Sequence, residues 1–150
     1  MFNSNDFKPL PTTHEQNWCG GTGDMLAFSP DGQMYPCIRY MESSLGNDMP
    51  PIIIGNLTDG LYATEETKKL KESFDKITRR TQSTDNCFHC SIASGCQWCS
   101  AWNYQKTGSV DKRATSICIM HQARSLANVY FWNRYYIKQG REKRMPLYLD

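Results

Sequence analysis

The sequence predicts an α+β fold: a small β-hairpin sheet, an amphipathic helix, a cysteine-rich loop and a C-terminal helix. Three stretches carry that expectation. Two short strand-like runs flank a turn in "MLAFSPDGQMYPC", residues 25–37. Residues 64–80, "TEETKKLKESFDKITRR", repeat apolar positions at helical spacing. Residues 85–102, "DNCFHCSIASGCQWCSAW", place four cysteines between positions 87 and 99, and a further helical pattern follows at 115–138.

The hairpin rests on "SPDG" between "MLAF" and "QMYPC". Proline at the second turn position and glycine at the fourth suit a type I turn. Cys37 stands at its exit. The following "RYMESSLGNDMPP" reads as loop, and "IIIGNL" as a short β-branched strand broken by Gly55 and Asn56. In the first helix Thr64, Thr67 and the pair Glu65–Glu66 make a capped start. Leu70, Phe74 and Ile77 form the apolar stripe, and the basic end "KITRR" suits the C-terminal dipole. Its charges read as a solvated face. The second helix, "TSICIMHQARSLANVYFWNRYYIK", carries Cys118 in its first turn. Its aromatics at helical spacing read as core rather than as a base-stacking surface. Residues 1–18 read as a linker or the edge of a preceding domain, 19–138 as the domain itself, and 139–150 as a tail. No internal repeat occurs.

Composition narrows the function. The chain has 150 residues, 39% hydrophobic, with a net charge of +2, and its mean hydropathy is negative. One domain with a modest core is expected, held by something besides burial. The small charge argues against nucleic acid as a partner. No apolar run is long enough to span a membrane, and the opening "MFNSNDFKPLPTTHEQ" lacks the regions of a signal peptide. The expected location is the cytoplasm. In a reducing compartment, dense cysteines serve as metal ligands more often than as disulfides, and an odd count of seven forbids complete pairing.

The seven follow the pattern C-x12-G-x4-C, a gap, C-x2-C-x5-C-x2-C, a second gap, and a last cysteine: Cys19, Gly32, Cys37, Cys87, Cys90, Cys96, Cys99 and Cys118. A C-x2-C pair alone occurs in zinc sites, redox motifs and ferredoxins. Ligand chemistry by itself leaves zinc and iron–sulfur open.

The full set, with "DGQMYPC" before the second cysteine and "IGNL" after it, resembles the SPASM domain. This is the C-terminal auxiliary-cluster domain of radical-SAM peptide and protein maturases. The resemblance spans roughly residues 18–135. It implies two 4Fe-4S clusters with a crossed ligand assignment. Cys19, Cys37 and Cys99 would hold the first; Cys87, Cys90, Cys96 and Cys118 would hold the second. One departure is visible: only Gln97 and Trp98 separate Cys96 from Cys99, where the family commonly has three residues. A fourth ligand for the first cluster is left to an upstream cysteine, His14, a substrate thiolate, water or a residue outside this chain.

The resemblance also implies electron relay and positioning of a peptide substrate, one that carries cysteine among the options. The cluster that cleaves S-adenosylmethionine needs a separate C-x3-C-x2-C loop, which the sequence lacks. The expected partner is therefore a radical-SAM barrel, in cis or in trans, and no catalytic residue is assigned here. Sulfatase-maturing relatives place an aspartate directly after the second cysteine. Ile38 stands there and takes no proton, which favours thioether-type or related cross-linking. The alternative is a zinc-stabilised module that binds a peptide or protein without redox activity. "GGTG", residues 20–23, reads as tight backbone packing, since it lacks a P-loop lysine. Asp31 is accounted for by the turn.

Overall fold

The computed structural model describes residues 15, 20–47, 49–93, 96 and 98–141. Cys19 and His14 lie outside them, as do most of the expected linker and tail. The fold is α+β. Four short strands form one antiparallel sheet in the order β1-β2-β3-β4, and six α-helices occur among the described residues. The chain divides into two compact units. One, the sheet unit, comprises Glu15–Thr84 and Gln97–Ala114; the other, the helix unit, includes Asp85–Cys96 and the chain from Thr115 onward.

In the sheet unit the expected hairpin forms. β1 (Ala27–Phe28) pairs with β2 (Gln33–Tyr35) in the register Ala27↔Tyr35 and Phe28↔Met34. Gly32 N–H donates to Ser29 O at 2.9 Å, and Gly32 has φ +85°, which glycine adopts without strain. The Ser29 hydroxyl donates to the Asp31 carboxylate, so Asp31 belongs to the turn.

The next strand differs from expectation. Pairing with β2 is carried by Gly55 and Asn56 themselves (β3), not broken there, and β4 (Gly60–Leu61) returns beside them. The reason is steric. A Cβ on Gly55 would sit 2.3 Å from Gly60 O, so only glycine lets the β4 backbone approach. Asn56 then closes the tight loop, its Oδ1 accepting from Thr58 N and Asp59 N, each at 2.8 Å. The stretch expected as loop contains a 3-10 turn (Ile38–Tyr40) and α1 (Glu42–Leu45), because Tyr40 and Leu45 bury almost completely.

α2 (Glu65–Asp75) starts with the expected capping box between Thr64 and Thr67. It ends earlier than its periodicity suggests. Thr78 opens a second capping box with Thr81, which starts α3 (Arg79–Gln82) instead of continuing the helix. Phe74 and Ile77 still reach the core, with Ala27, Met34, Tyr35, Cys37, Tyr40, Ile54 and Ala101. α5 (Ser100–Thr107) begins in the last three residues of the cysteine-rich stretch 85–102 and runs beyond it. Its Asn103, buried, donates to Gln82 Oε1 at 3.3 Å and accepts from Ala114 N at 3.0 Å.

In the helix unit α4 (Asp85–Phe88) carries Cys87, and α6 (Cys118–Lys138) begins at Cys118 after a 3-10 turn, Thr115–Ile117. α6 buries His121, Ser125, Asn128, Val129 and Tyr136, a stripe on one face at successive steps of four, three, one and seven. The aromatic run is not uniformly core: Tyr136 is buried, while Tyr130, Phe131 and Tyr135 are exposed. No helix among the described residues is long and apolar enough to cross a membrane.

Candidate metal centre

Two of the three cysteines expected around the first cluster lie in the sheet unit. Cys37 is 7% exposed and belongs to the core cluster; Cys99 packs against that same cluster. Local structure explains both placements. The hairpin exit turns into the 3-10 turn Ile38–Tyr40, capped by extended Cys37, whose carbonyl accepts from Tyr40 N at 3.1 Å. Cys99 is the N-cap of α5, and its Sγ accepts the backbone N–H of Trp102 at 3.4 Å. A sulfur thus takes the place of the usual capping oxygen. α5 packs on the Ile38–Tyr40 turn and also on the 3-10 turn Gly20–Thr22, which begins directly after Cys19. Three elements, each starting just after one of these cysteines, therefore converge. Gly21 is buried within the first of them.

Cations surround the site through two tryptophans. The Arg39 guanidinium lies 5.7 Å and the Lys106 ammonium 4.8 Å from the centre of the Trp102 ring. Arg79 and Arg113 lie 5.8 Å and 4.9 Å from the centre of the Trp98 ring. Arg79 is almost fully buried. Burial pushes its guanidinium below the ordinary arginine value, with the Glu15 carboxylate opposing the change. Trp98 and Trp102 bracket Cys99 in sequence, so the rings on either side of it in the chain each carry two cations. Such an arrangement favours an anionic group.

The remaining four, Cys87, Cys90, Cys96 and Cys118, all belong to the helix unit and are all half-buried. Successive turns order the loop: Cys90 N–H donates to Cys87 O at 3.4 Å, Ala93 N–H to Cys90 O at 3.1 Å, and Cys96 N–H to Ala93 O at 3.1 Å. Cys118 heads the buried stripe of α6. No disulfide joins the six described cysteines. Among the described residues no group of three or more His, Cys, Asp or Glu side chains is drawn together as a metal shell. Thiolates gathered without a cation repel one another, and metal binding is coupled to the ordering of its ligands.

The two described sulfurs of the first site are donors that either a zinc ion or an iron–sulfur group accepts. Besides the two sulfurs, the hydroxyl of Ser100 and the indole N–H of Trp102 are buried and have no hydrogen-bond partner among the described residues. An unsatisfied buried donor costs about 1–3 kcal/mol, and an anionic sulfur-rich group beside Cys99 would supply the acceptor.

Sequence reasoning missed Ser100, Trp102 and His121. His121 follows Cys118 at C-x2-H spacing and is buried on the same face of α6. That spacing was the available signal. Ser100 and Trp102 gave none, since only burial distinguishes them. No family model, curated protein or solved structure matches the chain.

Proposed function

We propose that this chain is a SPASM-type auxiliary domain that holds two 4Fe-4S clusters and serves a radical-SAM peptide maturase. The observation that carries the reading is the partition of the cysteines. Cys37 and Cys99 fall in the sheet unit, and Cys87, Cys90, Cys96 and Cys118 fall in the helix unit. For these six cysteines the division accords with the crossed ligand assignment that the resemblance implies. Cys19, Cys37 and Cys99 would ligate the first cluster; the other four would ligate the second.

Bound clusters would supply one-electron transfer. The chain's own residues supply the rest. The α5 cap holds the Cys99 sulfur, the core fixes Cys37, and the cation–tryptophan stacks favour the negative charge of a thiolate-bound cluster. The radical step itself belongs to a barrel partner, in cis or in trans, that binds S-adenosylmethionine and a third cluster. A peptide, cysteine-containing in the thioether version of the reading, is the substrate to be positioned. A cytoplasmic location accords with reduced thiols.

One observation favours a second reading. His121 beside Cys118 adds a nitrogen donor that zinc accepts readily, which would make the chain a zinc-stabilised peptide- or protein-binding module. Anaerobic reconstitution with metal and sulfide analysis separates the two. About eight irons and eight sulfides per chain are expected for two cubes. Stoichiometric zinc without sulfide would replace this reading with the zinc module.

A further inference from the structure

We infer that Ser100 and Trp102 donate hydrogen bonds to the first cluster and hold its reduction potential up. The inference rests on the iron–sulfur reading above and concerns residues that the cysteine pattern does not reach. Ser100 is 2% exposed, and its hydroxyl has no acceptor among the described residues and no access to water. It is the first residue of α5, directly after Cys99. Side chains in a helix tilt toward its N-terminus, so the Ser100 hydroxyl leans toward the end that Cys99 caps. Trp102 already gives its backbone N–H to Cys99 Sγ at 3.4 Å. Its indole N–H is a second buried donor with no acceptor among the described residues.

Two cations stack on the Trp102 ring: Arg39, two residues after Cys37, and Lys106, one turn further along α5. Trp102 therefore joins the element that follows Cys37 to the element that follows Cys99. Donors aimed at cluster sulfurs stabilise the reduced, more negative state, and hydrogen bonds to sulfur are among the factors that set these potentials. Neighbouring cations act in the same direction.

The test is a redox titration of the reconstituted chain, reduced stepwise by dithionite, which gives one electron per cluster, and followed by electron paramagnetic resonance. Ser100→Ala, Ser100→Thr and Trp102→Phe are compared with the unaltered protein. Trp102→Phe keeps a ring for Arg39 and Lys106 but loses the indole donor. Ser100→Ala and Trp102→Phe should each move the first cluster to a more negative potential. A tenfold fall in the reduced-to-oxidised ratio corresponds to about 59 mV for one electron. Ser100→Thr should stay near the unaltered value, and the second cluster should not move in any variant. An unchanged first potential in loaded Ser100→Ala would overturn the inference. If that variant fails to load, the result in Trp102→Phe decides in the same way. Absence of iron and sulfide from the unaltered protein would instead overturn the reading on which the inference rests.

Discussion

Cys96 and Cys99 stand three positions apart, yet Cys96 closes the Asp85–Cys96 segment of the helix unit while Cys99 caps α5 in the sheet unit. A single C-x2-C pair would ordinarily bind one metal from one loop. Here the chain passes from one unit to the other between the two residues, so Cys96 shares a unit with Cys87, Cys90 and Cys118, and Cys99 shares one with Cys37. Each cluster would then stabilise its own unit, which leads to predictions about both.

The core of the sheet unit should control loading of the first cluster. Phe74 is 1% exposed and meets Tyr40 edge-on with ring centres 5.9 Å apart, in the cluster of residues that contains Cys37. Phe74→Ala should cost about 3–5 kcal/mol in urea unfolding. It should also reduce incorporation of the first cluster, measured by iron content and visible absorption, while the second is retained. Equal loss of both clusters would contradict separate support by the two units.

The sheet depends on one missing side chain. A Cβ at Gly55 would approach Gly60 O to 2.3 Å, and β4 has no room to retreat without losing its pairing. Gly55→Ala should destabilise the sheet unit by about 1–3 kcal/mol, read as a lower urea midpoint. A midpoint equal to that of the unaltered protein would show that β4 does not need this close approach.

Much of this architecture was legible beforehand, for definite reasons. The hairpin was readable because Pro30 and Gly32 impose local geometry, and α2 because Thr64 and Thr67 cap it reciprocally. The pairing of Gly55 and Asn56 was hidden, since a glycine that permits a close cross-strand approach looks the same in sequence as one that ends a strand. α5 was hidden by the cysteines around it, and its cap is a sulfur that propensity rules do not weight. The end of α2 was misplaced because Ile77 continues the apolar stripe while Thr78 starts a new cap. At the candidate site, spacing singled out the seven cysteines. Ser100 and Trp102 emerged only from burial, which no local pattern encodes.

Polar contacts of Asn103 tie α5 to its own unit. Asn103 links Gln82 to Ala114 N, and both side chains are buried. Asn103→Ala would leave Gln82 Oε1 and the Ala114 N–H without that partner, a cost of about 1–3 kcal/mol. Thermal unfolding should register it, and reconstituted protein should hold the first cluster less tightly against a chelator. Unchanged melting and chelator resistance would show that α5 is positioned by its apolar contacts alone.

Under the proposed assignment Cys19, Cys37 and Cys99 leave the fourth ligand of the first cluster to be supplied, and a substrate thiolate is one candidate beside a cysteine upstream of residue 1. A cysteine-containing peptide added to the reconstituted chain should change the spectrum of the first cluster, and its serine analogue should not. A spectrum indifferent to both peptides would leave electron relay and support as the role of that cluster.

The most direct test of the central claim compares Cys96→Ala with Cys99→Ala after identical anaerobic reconstitution, using electron paramagnetic resonance of the reduced proteins. Two clusters with crossed ligands predict two different losses. Cys96→Ala should remove the signal that Cys87→Ala and Cys118→Ala also remove, and Cys99→Ala should remove the one that Cys37→Ala removes. Loss of the same signal from both Cys96→Ala and Cys99→Ala would contradict the division of these cysteines between two clusters.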